Sequence, residues 1–377
     1  MNSMPVNLSD LGNRSQHGGR ARPGFSDSRM RGGNYPTRNL GMRGRSAISA
    51  VVSPRVRWVP GYVFLSLILL AGITQVSANP AMEWIEKMSD SMRNLSYQGN
   101  FVYLHENQLE SMSILHIKDE SGVRERLLSL NGEARVVIRD NKNLTCIWPD
   151  SRKVVVGDSS QKNFSPLLVL DNIAKIGKYY DMSLADGDRV AGHESIIVDI
   201  KPKDQLRYGL KLWINSSNGL LLKSNLINEL HEVVEVVMFT NLEELSKKDR
   251  MKLITMPELD DSFSLIQFRS GDASGNIEVD MTWGFSNPPD GFWRESAVKR
   301  KLADTEQFIH QMVYTDGLAS LSVFIEKQTL QVVQGETSMG AVNGYIRIIN
   351  NYSVTAIGAV PAITVRRMAE SVYRQDP

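Results

Sequence analysis

Chemistry, if this chain performs any, must come from a short list of side chains. Beyond position 78 there are five histidines, His105, His116, His193, His231 and His310, and Cys146 is the only cysteine of the whole chain. "HEVVE" (231–235) has the first half of a helical zinc motif but lacks the second histidine. The β-branched run that follows it reads as a strand, where two ligands one helical turn apart cannot share a face. "HESII" (193–197) has the same defect. No glycine loop for phosphates and no G-x-S-x-G elbow is present, and "GDASG" (271–275) has the wrong spacing. Adjacent carboxylates, Glu243-Glu244 and Asp260-Asp261, sit in or beside a charged stretch where solvation is their ordinary fate. Cys146 lies in the strand-like "NLTCIWP" and reads as a buried, inert thiol. These residues nominate no catalytic group, no metal site and no cofactor, and they favour a binding module over an enzyme.

Charge divides the chain. Residues 1–58 carry ten Arg, no Lys and two Asp, a net +8, residues 59–78 carry no charge, and the remainder is net −7. Arg55 and Arg57 precede the apolar run 59–73, and "VSA" (76–78) follows it. A basic start, a short apolar run and small residues at −3 and −1 are the parts of an export signal. Residues 1–78 are therefore expected to be a disordered basic leader ending in a signal peptide cleaved after Ala78, with the mature chain exported. A nucleic-acid-binding arm is the lesser reading of the arginines. A lone cysteine allows no internal disulfide, so stability must come from the core.

The elements that must position any site are mostly strands. Ile85, Met88, Met92 and Leu95 mark one stripe of a helix over 82–95. Short strand-like segments with turn pairs between them then recur to about residue 245, interrupted by an expected helix over 165–182 with Leu168, Ile173 and Ile176 as buried positions. The charged, proline-containing stretch 246–262 reads as a linker. Beyond it "WRESAVKRK", "EQFIHQMVYT" and "LASLSVFIE" read as strands with a tight "TDG" turn (315–317), followed by a hairpin around Asn350-Asn351 and a terminal helix begun at Pro361. The expected layout is thus a large β-rich domain (79–245), a linker (246–262) and a small β-rich domain with a C-terminal helix (263–377).

One hairpin poses a packing problem. In "YGLKLWINSSNGLLLKSNL" (208–226), Leu210, Leu212 and Ile214 share a face, Trp213 stands on the other, and Leu220, Leu221 and Leu222 run consecutively. A half-exposed hairpin alternates apolar with polar, so something must cover the second face: the sheet curled on itself, or an apolar guest in a cavity. Leu210, Leu212, Trp213, Leu221 and Phe239 are the candidate cavity-lining residues.

The same stretch, "RYGLKLWINSSNGLLLKSNL", resembles the R-Y-G-x-x-L-W segment of the RseB/MucB family, and "DRVAGHESIIVDIKPKD", "MVYTDGLASLSVFIE" and "MGAVNGYIRIINNYSVTAIGAVPAITVRRMAESV" resemble further segments of it in the same order. The likeness spans about 80–373. It implies a mainly β (α+β) protein: a large LolA/LolB-like half-open antiparallel barrel with a few helices, plus a small antiparallel sheet with a C-terminal helix. It also implies a periplasmic negative regulator of the envelope-stress sigma factor that binds the periplasmic region of a membrane-spanning anti-sigma factor. That binding would protect the partner from proteolysis, and an acyl-chain ligand such as lipopolysaccharide would release it. The alternative, a lipid or lipoprotein carrier on the same barrel, does not require the small domain. Phe285, Phe292 and Trp293, around the "NPPDG" turn, are the expected partner anchors, with aromatic core-building as the plainer reading. No nucleic-acid partner is expected, and the sequence does not decide between monomer and homodimer.

Overall fold

The computed structural model of the chain describes residues 79–158, 173–246, 260–267, 278–279, 282–301, 307–328 and 333–375. The leader with its expected cleavage site, Leu168 and "GDASG" lie outside the described residues. The mature chain opens with helix α1 (Pro80–Asn94). Its start follows from local chemistry: Asn79 caps it, its side-chain oxygen accepting from the Ala81 amide at 3.0 Å, and Pro80 at the first position has no amide to leave unpaired. Of the expected stripe, Ile85, Met88 and Met92 are buried at the core, while Leu95 is the C-cap beyond the helix and only partly buried against that core.

Eleven strands follow: β1 (Tyr97–His105), β2 (Gln108–Asp119), β3 (Gly122–Ser129), β4 (Val136–Arg139), β5 (Asn143–Trp148), β6 (Lys153–Asp158), β7 (Tyr180–Val190), β8 (His193–Pro202), β9 (Gly209–Asn215), β10 (Leu221–Ile227) and β11 (Val233–Glu244). In the described part of the expected second helix, Ile173–Lys178 is one 3-10 helix in which Ile176 is buried, and residues 180–182 belong instead to β7. Strand β12 (Ser264–Gln267) runs parallel to β6 and extends the same sheet, although it lies past the expected end of the linker. The order is β12-β6-β5-β4-β3-β2-β1-β11-β10-β9-β8-β7, an open sheet whose two edge strands are not paired with each other.

This sheet is strongly curled. His193 at the start of β8 donates from Nε2 to the Leu242 carbonyl of β11 at 3.0 Å. Those strands are three places apart in the order, a separation of roughly 14 Å if the sheet were flat. The expected half-open barrel is what the sheet forms. Its concave face takes the stripe of α1, which packs in one core with Phe101, Leu212, Ile214, Leu222 and Phe239.

The remaining strands are β13 (Glu278–Val279), β14 (Trp283–Phe285), β15 (Trp293–Lys301), β16 (Phe308–Thr315), β17 (Ser320–Lys327), β18 (Gly335–Met339), β19 (Val342–Ile349), β20 (Tyr352–Gly358) and, after helix α2 (Ala362–Ser371), β21 (Val372–Arg374). Seven of them form a second sheet, β13-β15-β16-β17-β20-β19-β18, while β14 pairs with β21. "TDG" makes the β16–β17 turn, and Asn350 and Asn351, both at positive φ (46° and 67°), make the β19–β20 turn. Helix α2 supplies Val365, Met368 and Ala369 to a core shared with Trp283, Val323 and Ala356. The short return strand β21 carried no sequence signal of its own.

The covering of the opening hairpin is now visible. By alternation Trp213 faces away from Leu212 and Ile214, yet it is only 6 % exposed. The ammonium of Lys223, its partner across the ladder, lies 4.3 Å from the ring centroid, and that of Lys211 lies 5.5 Å away. Two lysine ammonium groups thus sit over the ring on the outer face. No apolar guest is needed there.

Candidate functional site

The two sheets meet around a cavity of about 1260 Å³. One wall comes from the concave face of the large sheet. The register places Tyr97, His116, Glu125 and Arg139 side by side across β1, β2, β3 and β4. His116 faces Glu125 Oε1 through Nδ1 at 2.8 Å and the Arg93 carbonyl through Nε2 at 3.3 Å, and it stacks on Tyr97 at 4.8 Å. Arg139 donates to the second Glu125 oxygen at 3.3 Å. Burial alone would push the Glu125 carboxyl up, but the hydrogen bond and charge of His116, with those of Arg139, outweigh it and hold the carboxyl below its ordinary range. Further along the same wall Glu235 is pushed up by burial, despite a hydrogen bond from Tyr103. Leu210 and Leu226, opposite each other on β9 and β10, make the apolar part. The other wall is the β16–β17 turn and the ends of β17, β19 and β20, including Leu318, Leu321 and Ile357.

Beside the cavity the small sheet is seated on the large one through buried polar groups. Arg207, in the loop between β8 and β9, and Asp316, in the β16–β17 turn, are both fully buried and pair at 3.1 Å. Tyr180 donates its hydroxyl to the same Asp316 oxygen at 2.8 Å. The guanidinium also donates to Asp204 at 3.0 Å and to the Asp290 carbonyl. The rings of Tyr179 and Phe292 lie 4.6 and 5.2 Å from it. Asn343 donates to the Tyr208 hydroxyl at 2.9 Å, and Thr364 donates to the Leu206 carbonyl at 2.7 Å. Gly291, at φ 86°, brings the "NPPDG" loop against Tyr179, and a Cβ there would lie 2.7 Å from the ring.

Of the five residues nominated for a lipid pocket, Leu210 lines the cavity. Leu212, Trp213, Leu221 and Phe239 are buried and belong to the core that contains the α1 stripe. The nominated partner anchors also divide. Phe292 is buried in the small core and against Arg207, and Phe285 is half-buried, 4.8 Å from the Tyr314 ring. Both therefore differ from the open loop placement expected for them, because β14 ties Phe285 to β21 and the loop folds down onto the seat. Trp293 is half-buried on the cavity wall with Lys175 over its ring at 4.6 Å. Sequence reasoning missed His116, Glu125, Arg207 and Asp316. The first two share the period-2 face of adjoining strands, a signal visible only once the register is known. Arg207 and Asp316 stand inside "RYG" and "TDG", where they read as motif and turn residues.

An open curled sheet seated on a smaller sheet around a cavity defines a two-sheet binding protein. The profile of the MucB/RseB N-terminal domain matches residues 80–257 and that of the MucB/RseB C-terminal domain matches 278–373, so the chain belongs to the MucB/RseB family. It is 28% identical over 317 residues to the sigma factor AlgU regulatory protein MucB of Pseudomonas aeruginosa, covering 81% of this chain and 96% of that one. The sigma-E factor regulatory protein RseB of Haemophilus influenzae is 25% identical over 317 residues, covering 82% and 97%. Among solved structures, the Pseudomonas aeruginosa MucA/MucB complex aligns with TM-score 0.61 at 26% identity over 79% of this chain and 99% of that one. MucB in complex with MucA(peri) aligns with TM-score 0.60 at 25% identity over 79% and 100%.

Proposed function

We propose that this protein is a periplasmic negative regulator of an envelope-stress sigma factor. It binds the periplasmic region of a membrane-spanning anti-sigma factor and shields it from regulated proteolysis, and an acyl-chain ligand such as lipopolysaccharide releases it. In this reading it acts by binding and not as an enzyme. The leader directs export and is removed after Ala78, and the two sheets correspond to a large domain, which takes β12 as well, and a small one. The observation that carries the reading is membership of a family whose profiles match both parts of the chain, together with the alignment to MucB structures solved with MucA. Trp293 is the nominated anchor that the cavity leaves accessible to a partner, and the neighbouring Leu210 and Leu226 give an acyl chain an apolar wall. A flexible segment needs such pockets to offset its ordering cost. Calorimetric titration of residues 79–377 with the periplasmic segment of the anti-sigma factor from the same cell tests this. Saturable binding that a dispersed acyl-chain amphiphile weakens is expected, and a flat titration with no co-elution overturns it.

A further inference from the structure

The polar contacts between the sheets gather at one corner. On the large side they come from Tyr180 at the start of β7 and from Leu206, Arg207 and Tyr208 in the loop joining β8 to β9. These two segments are themselves tied, since the Lys203 amide donates to the Tyr179 carbonyl at 2.9 Å. On the small side the central group is Asp316, and its two oxygens do separate work. Oδ1 accepts from the amides of Leu318 and Ala319, at 2.9 and 2.8 Å, and so builds the β16–β17 turn. Oδ2 accepts from Arg207 and Tyr180. The turn it builds, with Thr315, Gly317 and Leu318, is also cavity wall.

We propose that Arg207 and Asp316 form a latch: paired, they seat the small sheet on the β7–β9 corner and hold one wall of the cavity in place, and on their separation the small sheet lifts and the cavity widens. Three physical points carry it. A buried ion pair is poor glue compared with apolar packing of the same volume, because both charges are desolvated, and its best attested role is to specify one arrangement over another. The hydrogen bonds that accompany it, Asn343 with Tyr208, Thr364 with the Leu206 carbonyl and Arg207 with the Asp290 carbonyl, each have a net worth that water largely replaces on opening, and the apolar contacts beside them include Phe292 on Arg207 and Leu318 on the large core. The same turn forms latch and cavity wall, so displacing Leu318 or Gly317 from inside the cavity moves Asp316 against Arg207. Interfaces of this polar kind within a chain behave as separable ones.

The latch is tested by distance measurement between the sheets in residues 79–377. Nitroxide labels at Ser217→Cys and Lys327→Cys, two exposed positions, in a Cys146→Ala background report the separation by pulsed electron resonance. Asp316→Asn keeps an oxygen for the Leu318 and Ala319 amides but removes the charge that Arg207 meets across the two sheets, leaving the guanidinium with Asp204 on its own side. Arg207→Met with Asp316→Asn removes both charges and avoids an unpaired buried one. A single narrow distance is expected for the parent, and a second, longer population for both variants with unchanged far-ultraviolet circular dichroism. Should Asp316→Asn fail to fold, the double variant decides. A distance distribution identical to the parent's in a folded variant overturns the latch and leaves apolar packing as what seats the small sheet.

Discussion

The large sheet has two covers, and they are made of different chemistry. Helix α1 covers part of the concave face with Ile85, Met88 and Met92, all at or below 1 % exposure, and meets Leu212, Ile214 and Phe239 there. The small sheet covers another part through Arg207 with Asp316, Tyr208 with Asn343 and the Leu206 carbonyl with Thr364, and leaves a cavity lined by His116, Glu125 and Arg139. Apolar burial is non-directional and lost only when the element unfolds. A polar seat is directional: it specifies one position and costs little extra once water takes over its hydrogen bonds. The contrast separates a permanent wall from a movable one.

The largest expected effect lies under the permanent cover. Phe239→Ala removes a fully buried ring that meets Phe101 at 5.5 Å and should cost about 3–5 kcal/mol, read as an earlier urea midpoint for the large sheet. The midpoint of the small-sheet core should not move. If both fall together, the two covers are one cooperative structure and the contrast fails.

A smaller effect sits on the cavity wall. Because His116 and Arg139 hold the Glu125 carboxyl below its ordinary range, its contribution is fully present above the unfolded value of about 4.3 and is lost as pH falls through the folded value. Glu125→Gln should therefore be less stable than the parent at neutral pH, and the gap should close in acid. Thermal melts of both proteins between neutrality and pH 3 would show this. A gap that stays constant would mean that the carboxylate is not what His116 and Arg139 stabilise.

How much of this was legible in the sequence depends on the range of the signal. The α1 stripe, the Asn350-Asn351 turn, the "TDG" turn and the terminal helix are written in neighbouring residues, and each stands where local chemistry puts it. The candidate site is not local. Arg207 and Asp316 are 109 residues apart in sequence, and nothing in "RYG" or "TDG" says that the two meet. The wall residues His116, Glu125 and Arg139 come from three strands whose register no single sequence reveals. Trp213 looked like a cavity residue because it stands on the second face of its hairpin, whereas the ammonium groups of Lys211 and Lys223 lie over its ring there. Phe292 looked like a loop residue because its neighbours form a turn, but the turn itself folds inward onto Arg207.

The most direct test of the contrast is a urea titration of residues 79–377 carrying fluorotryptophan and followed by fluorine resonance. Trp84 reports the α1 side of the large core, Trp213 its hairpin and Trp283 the core of the small sheet. A permanent apolar cover and a separable polar one predict that Trp84 and Trp213 lose their native signals together, while Trp283 loses its own at a different urea concentration. Three coincident transitions would contradict it.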